Sequence, residues 1–297
     1  MIRVGLLAVA TVLASPALAA ESSSDCAVAR PADGNLKAYA AMFFAKAGPD
    51  DLAALAMCLG DPDPAVRDGF AFTLWSEGLR GRHLSSAQMG QALARLGGMV
   101  AGAEDAGGFR RPFAALALSE VARADRIEAY LTDAELHALA QTGASYLSGV
   151  TDYRGFTPGE GWRHGVAHGA DLALQLALNP RLTHDDADLL LGAIAAQVAP
   201  HASPYYRHGE PSRLARPVLF LARRADIDDV AWAAWFAALH PDDGPRWTKA
   251  HAGDAVLSAV HNTMAFASAI YVSSVEASDP RIRRLAPLAL GLLKALP

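Results

Sequence analysis

The stretch from Asp152 to Pro180, DYRGFTPGEGWRHGVAHGADLALQLALNP, decides how the chain is interpreted. Thr157-Pro158-Gly159-Glu160 has the form of a capping box with proline at the first helical position, and Asn179-Pro180 predicts where the helix stops. At about 100° per residue, four polar side chains fall on one narrow stripe. They are His164, His168, Asp171 and Gln175. The other residues of the helix are apolar or small, so we expect a buried helix whose one polar face looks into a cleft.

On either side of this stretch the chain has the pattern of one helix after another. Asp63 before Pro64 predicts a helix start, as do Thr132 with Glu135 and Thr183 further on. β-branched runs are short and period-two alternation is not sustained, which argues against strands. Besides the central stretch, helices are predicted near 36–47, 52–59, 64–79, 85–100, 112–123, 132–147, 183–198, 213–223, 227–239, 250–275 and 281–293.

The fold class follows from these short-capped helices. They show no heptads, which favours stacked antiparallel pairs over a coiled coil. The run Asp-Pro-Asp-Pro-x-Val-Arg-Asp at 61–68 is similar to the start of the second helix in HEAT-type repeats. We predict an all-α fold, an α-α superhelix of stacked antiparallel helix pairs (HEAT-like), with a closed α/α toroid as the alternative. Such stacks are concave on one side, where the polar stripe is expected to point.

Composition and the N-terminus indicate an exported, folded protein. The 297 residues are 52% hydrophobic, and the formal net charge of −5 argues against nucleic acid as a partner. Arg3, the apolar run Val4–Leu13 and Ala17-Leu18-Ala19 predict a signal peptide at 1–20, with an uncleaved anchor as the alternative. We therefore expect a secreted or periplasmic protein with an N-terminal tail at 21–34, a single domain at 35–297, and no stable membrane insertion after signal removal.

The sequence contains two cysteines, Cys26 and Cys58. In an oxidising compartment we expect them to pair and to tie the N-terminal tail to an early helix. The alternative is that Cys58 is a buried small hydrophobe. There is no C-x-x-C motif, so a metal or redox role for the cysteines is not indicated.

Several motifs together resemble one known family. They are Asp61-Pro62 with Arg67-Asp68, Phe109-Arg110-Arg111-Pro112-Phe113, Arg154-Gly155-Phe156, Gly161-Trp162-Arg163-His164, Ala167-His168-Gly169-Ala170-Asp171, Glu210 with Arg213, and Asn262 with Phe266 and Tyr271. Over most of its length after Asp50, the chain resembles the bacterial family of uncharacterised proteins known as DUF2785. Pro112, in place of a small hydroxyl residue, and the export signal depart from the family. The resemblance implies an all-helical, HEAT-like domain. It does not imply any particular activity, because the family is uncharacterised.

The polar stripe has three interpretations. His164 and His168 lie one helical turn apart and Asp171 one turn further, and this is a ligand set that a divalent metal, zinc or iron, accepts. Gly165 follows His164, so the His-Glu-x-x-His arrangement of zinc proteases is not encoded. The second interpretation is a buried His168–Asp171 hydrogen-bonded pair that holds adjacent helices, and the third is a metal-free ligand pocket.

Other polar and aromatic residues are candidates for binding a ligand in the same cleft. Arg213 can clamp a carboxylate or phosphate, although a Glu210–Arg213 pair at a helix start is the alternative. A second stripe of His251, Asp254, Ser258 and His261, with Asn262 beside it, can face the first. Trp162, with Tyr205 or Tyr206, can wall a pocket for a sugar or peptide. The candidate ligand-binding residues are Arg154, Trp162, Gln175, Glu210, Arg213, His261 and Asn262.

Two functions from different classes follow. The first is an exported binding protein that takes a small polar ligand or peptide in a concave His/Asp-lined pocket. The alternative is a hydrolase or lyase of the same cleft, metal-assisted or histidine-based, in which His164 and His168 are ligands or acid–base groups and Asp171 orients them. An interaction solenoid whose partner contacts lie elsewhere is a third interpretation. The sequence alone does not decide whether the protein is an enzyme.

Overall fold

The computed structural model describes residues 26–200, 204–239 and 253–297. Its α-helices are α1 Leu36–Lys46, α2 Pro49–Met57, α3 Pro64–Val66, α4 Thr73–Arg80, α5 Ser86–Ala101, α6 Arg110–Ile127, α7 Asp133–Ser148, α8 Gly165–Ala177, α9 His184–Val198, α10 Glu210–Leu221, α11 Asp229–Leu239, α12 Asp254–Glu276, α13 Pro280–Arg283 and α14 Leu285–Ala295. The sheet structure of these ranges is one antiparallel hairpin, β1 Phe156–Thr157 and β2 Gly161–Trp162. The all-α class is confirmed. The predicted signal peptide at 1–20 and His251 lie outside the described residues.

Side-chain caps begin several helices where the sequence predicts them. Asp63 accepts a hydrogen bond from the N–H of Ala65 at 2.8 Å, which starts α3. Thr132 and Glu135 form a reciprocal capping box at the start of α7, and Thr183 caps α9. These caps satisfy backbone N–H groups that have no partner within the helix. The helix starts at Asp63, Thr132 and Thr183 are therefore confirmed.

Between α3 and α4 the chain forms a π-helical segment, Arg67–Phe72, where the sequence predicts an uninterrupted helix. The wide turn leaves Arg67 fully buried. The Arg67 guanidinium donates hydrogen bonds to the carbonyl oxygens of Asp61, Pro62 and Glu160, at 2.9, 3.2 and 2.9 Å. π-turns within α-helices are often found near functional sites. Here the turn anchors the β1–β2 hairpin, because Glu160 lies between its two strands.

The helices pack in two rows. α4, α6, α8, α10 and α12 follow one another side by side, and α5, α7 and α9 pack in succession behind them. Consecutive helices of the first row are joined by polar contacts: Arg80 with Glu120, Arg126 with Gln175, and Asp171 with Arg213. A hydrophobic core that includes the fully buried Phe44, Trp75, Trp232 and Phe266 runs through the stack. The superhelical curvature and the toroid alternative remain predictions.

Helix α12 is long and apolar enough to cross a membrane by length and composition alone. Within the protein, 44% of its most apolar window is buried, including Phe266 and Ile270. Core helices of soluble proteins meet the same criterion, so this helix is weak evidence for a membrane span.

A disulfide joins Cys26 to Cys58, with 4.6 Å between the two Cα atoms and 32 residues of sequence separation. This is the pairing that the sequence favours. A cross-link over a loop of this length stabilises a fold by about 3–4 kcal/mol, chiefly by restricting the unfolded chain.

We expect the Cys26→Ser variant to lose about 2–4 kcal/mol of unfolding free energy in urea denaturation. Reductant should destabilise the wild-type protein by a similar amount and leave the variant unchanged. Equal urea midpoints for the wild-type protein with and without reductant would contradict a stabilising role for this bond.

Candidate functional site

The segment before α8 is a hairpin, and the prediction of a helix beginning at Pro158 is wrong. The N–H of Glu160 donates to the carbonyl oxygen of Thr157 at 3.1 Å, which closes a tight turn. Gly159 and Gly161 have φ of 83° and 79°, a conformation that glycine adopts at little cost. The pattern Thr-x-x-Glu fits both a capping box and this turn, and Pro-Gly at its centre favours the turn. Helix α8 therefore begins seven residues later than predicted, at Gly165.

His164 is the residue at which the hairpin turns into α8. It has the left-handed values φ 58° and ψ 38°, which are uncommon for a residue with a side chain. The N–H of His164 donates to the carbonyl oxygen of Arg154 at 3.1 Å, so the chain crosses back over the hairpin at this point. Strained backbone of this kind clusters at functional sites.

Helix α8 is buried on all sides but one. It packs against α6 and α10, and each of its residues is buried except Asp171 and Gln175, which are half-buried. His168 is 7% exposed, and His164 at the helix start is half-buried. A buried helix with one polar face is the arrangement that the sequence predicts.

Each residue of the stripe has a partner of its own. Asp171 forms an ion pair with Arg213, and Gln175 Oε1 accepts a hydrogen bond from Arg126 Nε at 2.8 Å. His168 Nδ1 lies 3.2 Å from the Pro112 carbonyl oxygen. His164 Nε2 lies 3.1 Å from the His208 carbonyl oxygen. The buried His168–Asp171 pair is therefore wrong. Within the described ranges no group of three His, Cys, Asp or Glu side chains is placed to hold a metal ion, so this geometry gives the predicted zinc or iron set no support.

Four aromatic side chains meet at the start of α8, and we call them the imidazole–indole cluster: Trp162, His164, His168 and His208. The indole of Trp162 stacks on the His164 ring with centroids 4.6 Å apart, and the His208 ring meets it edge-on at 5.4 Å. The His164 and His168 rings are 5.9 Å apart. Trp162 is 37% exposed and its cross-strand neighbour Phe156 is 49% exposed. The cluster therefore reaches from the protein interior to solvent.

Burial sets the charge state of the two stripe histidines. Burial first, and then the nearby His164, lower the pKa of His168 to about 3, while the hydrogen bond to Pro112 opposes this shift. Burial also lowers the pKa of His164, opposed by Glu210. Both rings are therefore neutral at pH 7. The hydrogen bonds to carbonyl oxygens assign the protons to His168 Nδ1 and His164 Nε2, which leaves His168 Nε2 and His164 Nδ1 as acceptors.

The loop after residue 203 brings His208 to the cluster. The carboxylate of Glu210, which is 3% exposed, accepts a hydrogen bond from the His208 N–H at 2.9 Å and approaches His164 Nε2 at 3.9 Å. On the other side of the loop, Asn262 of α12 accepts from the Tyr206 N–H at 2.8 Å. Glu210 thus joins the cluster, and Asn262 positions the loop that completes it.

Several predicted site residues lie outside the cluster. Arg154 is exposed and pairs with Asp152, and His261 is exposed and contacts Tyr205 edge-on at 5.3 Å. Arg213 pairs with Asp171, so the predicted Glu210–Arg213 pair is wrong.

The aromatic neighbours of Trp162 also differ from the sequence prediction. They are Phe156, His164 and His208, rather than Tyr205 or Tyr206. The sequence did not identify His208 as a site residue. Gly155 makes room for it, because a Cβ atom there would lie 2.0 Å from the His208 ring, but only the tertiary structure brings these two positions together.

Comparison with known proteins identifies a family but assigns no activity. A family model described as "Protein of unknown function (DUF2785)" matches residues 96–272, which is more than half of the chain and includes the whole imidazole–indole cluster and Asn262. No curated protein and no solved structure matches the chain.

Proposed function

We propose that this chain, which belongs to the DUF2785 family, binds a small polar ligand that carries hydroxyl groups, and does so at the imidazole–indole cluster. The observation that carries the proposal is the half-exposed indole of Trp162, stacked on one histidine and followed inward by a second. We place this binding outside the cytoplasm, on the strength of the signal peptide predicted at 1–20.

The cluster offers acceptors for hydrogen bonds. His168 Nε2 and His164 Nδ1 are lone-pair nitrogens, and Glu210 Oε1 lies 3.9 Å from the other ring nitrogen of His164, Nε2. Among the described residues, no group donates a hydrogen bond to His168 Nε2. This lone pair can accept a hydrogen bond from a ligand that supplies a donor at this position. Hydroxyl groups are neutral donors and match neutral imidazoles.

The aromatic side chains supply a flat apolar surface next to these acceptors. Phe156 and Trp162 form a cross-strand pair with ring centroids 5.2 Å apart, and both rings are partly exposed. A ligand that combines an apolar face with hydroxyl groups on its edges, such as a sugar, satisfies both parts of the site. This supports a mono- or disaccharide over a peptide.

The charge state of His168 argues for binding over acid–base catalysis. A general base works best when its pKa lies near the operating pH. A pKa of about 3 makes His168 a poor proton acceptor at pH 7 but a good hydrogen-bond acceptor. This argues against His168 as the base of the hydrolase or lyase alternative.

The test is a panel of mono- and disaccharides, screened by thermal shift and followed by titration calorimetry. We expect at least one to bind, and we expect Trp162→Ala and His168→Phe each to weaken it about tenfold, since each removes about 1–1.5 kcal/mol of contact. His168→Phe keeps the ring volume next to Phe113. His261→Ala is the matched control, because His261 contacts the same loop without reaching the cluster.

Two results would overturn the proposal. One is a folded protein that binds no member of the panel. The other is a sugar whose affinity is the same in the wild-type protein, Trp162→Ala and His168→Phe.

A further inference from the structure

We propose a second binding site, for a small amphipathic carboxylate, in a cleft that shares no residue with the imidazole–indole cluster. The cleft has a volume of about 860 Å³ and lies between the end of α4, the start of α5 and the end of α6. This volume is within the range of about 300–1,000 Å³ that is usual for small-molecule sites. Because three arginines line it, we call it the arginine cleft: Arg80, Arg82 and Arg123.

The first argument is an arginine without a direct partner. Arg80 is paired with Glu120, and Arg82 is paired with Glu128 at 2.9 Å. Arg123 is half-buried and has no hydrogen bond or ion pair among the described residues. A half-buried guanidinium without a partner favours an anion, and a carboxylate can take two of its N–H groups at once.

No nearby carboxylate pairs directly with Arg123 among the described residues. Glu135 also lines the cleft, but its Oε2 accepts hydrogen bonds from the N–H and Oγ1 of Thr132, both at 2.8 Å. One turn further along α6, Arg126 carries a second positive charge, and its Nε donates a hydrogen bond to Gln175. Burial, and after it the charge of Arg123, lowers the pKa of Arg126, while Glu120 opposes this shift.

The second argument is the apolar part of the lining. Leu84, Met89 and Ile127 line the cleft beside the arginines, and Ile127 is 47% exposed. Methionine is flexible and adapts to apolar groups of varied shape. Tyr130 also lines the cleft, and its hydroxyl donates to the Val121 carbonyl oxygen at 3.2 Å. An anion with an alkyl or aryl body of moderate size therefore fits better than a bare anion or an uncharged apolar molecule.

A glycine in the lining makes the cleft testable. Gly90 of α5 lines it, and a Cβ atom built there meets no atom within 4 Å. A large side chain at this position enters the cleft without displacing the core. Gly98, on the same helix and outside the cleft lining, is equally open and provides a matched control.

The experiment titrates the whole folded protein with decanoate, below the concentration at which it aggregates, and follows binding by calorimetry. Decanol and decyltrimethylammonium have the same chain without the negative charge. We expect decanoate to bind at least tenfold more tightly than either. Arg123→Gln should weaken decanoate about tenfold, Gly90→Phe should abolish binding, and Gly98→Phe should leave it unchanged.

Three results would overturn the second site. They are no decanoate binding, equal affinity for decanoate and the cationic analogue, and a Gly90→Phe variant that keeps its circular dichroism and its decanoate affinity. Sugar binding at the imidazole–indole cluster is expected to survive Gly90→Phe, so the two sites can fail independently.

Discussion

Replacing Arg67 with leucine is expected to lower the unfolding free energy by about 3–5 kcal/mol. Arg67 is fully buried, and its guanidinium donates to three carbonyl oxygens and forms an ion pair with Asp68 at 2.7 Å. The Arg67 guanidinium carbon also lies 4.0 Å from the ring centroid of Phe109. The guanidinium carbon of Arg163 lies 4.2 Å from the same centroid. Burial lowers the pKa of Arg67, but an arginine stays charged at any pH at which the protein is folded. Leucine therefore leaves the carbonyl oxygens and Asp68 without their positive partner.

Urea denaturation with circular dichroism measures the loss. Arg154→Leu is the matched control, because Arg154 lies in the same region but is exposed. It pairs with Asp152 and donates a long hydrogen bond of 3.4 Å to the Gly107 carbonyl oxygen, and surface contacts of this kind contribute little. We also expect sugar binding to weaken in Arg67→Leu, since Arg67 Nη2 holds the carbonyl oxygen of Glu160 in the hairpin that carries Trp162. Equal stability of the Arg67→Leu and Arg154→Leu variants would show that the buried network contributes no more than a surface ion pair.

Asp125→Ala is expected to cost a similar amount, about 3–5 kcal/mol. The Asp125 carboxylate is almost fully buried at the end of α6 and accepts hydrogen bonds from backbone and side chains alike. Its donors are the N–H groups of Tyr130 and Leu131, Asn179 Nδ2 and the guanidinium of Arg181, at 2.7 to 3.0 Å. Alanine leaves these donors without an acceptor in a buried position.

The pH dependence of this effect has a definite sign. Burial alone would raise the pKa of Asp125, but the hydrogen bonds from Leu131, Tyr130, Arg181 and Asn179 outweigh it and the pKa is lowered. A lowered pKa in the folded state means that the stabilisation is fully present above the unfolded value of about 3.9. It is lost as the pH falls through the folded value.

Urea denaturation at pH 7 and at pH 3 tests this sign. The stability difference between the wild-type protein and Asp125→Asn should be large at pH 7 and should shrink at pH 3. Asp133→Asn is the control, since Asp133 also contacts Arg181 but is 92% exposed. If the difference in unfolding free energy between the wild-type protein and Asp125→Asn stayed constant with pH, the charge of Asp125 would not be the source of the stability.

Local sequence signals account for much of the fold. Side-chain caps at Asp63, Thr132 and Thr183 mark helix starts correctly, because a cap involves residues only two or three positions apart. The π-segment at Arg67–Phe72 was missed, since Arg67 is held by the Glu160 carbonyl oxygen, 93 residues away. The hairpin at 156–162 was missed because Thr-Pro-Gly-Glu fits two local structures and distant contacts choose between them.

The site was predictable in part for the same reason. Helical periodicity places His164, His168, Asp171 and Gln175 on one face, and the burial of α8 agrees with it. Periodicity says nothing of what that face meets. Asp171 meets Arg213, 42 residues away, and His164 meets the His208 carbonyl oxygen, 44 residues away. Partners at that separation require tertiary structure, which is why the metal set and the buried His168–Asp171 pair were reasonable from the sequence alone.

The contact between Asn262 and the Tyr206 backbone has a consequence for biosynthesis. Chains are made from the N-terminus, and early segments begin to fold while later ones are still inside the ribosome. Helix α8, with His164 and His168, emerges before the loop that carries His208, which follows about 40 residues later. The hydrogen bond that Asn262 of α12 accepts from this loop forms only after Asn262 has also emerged. A nascent chain therefore completes the imidazole–indole cluster late, after most of its helices are already available for packing.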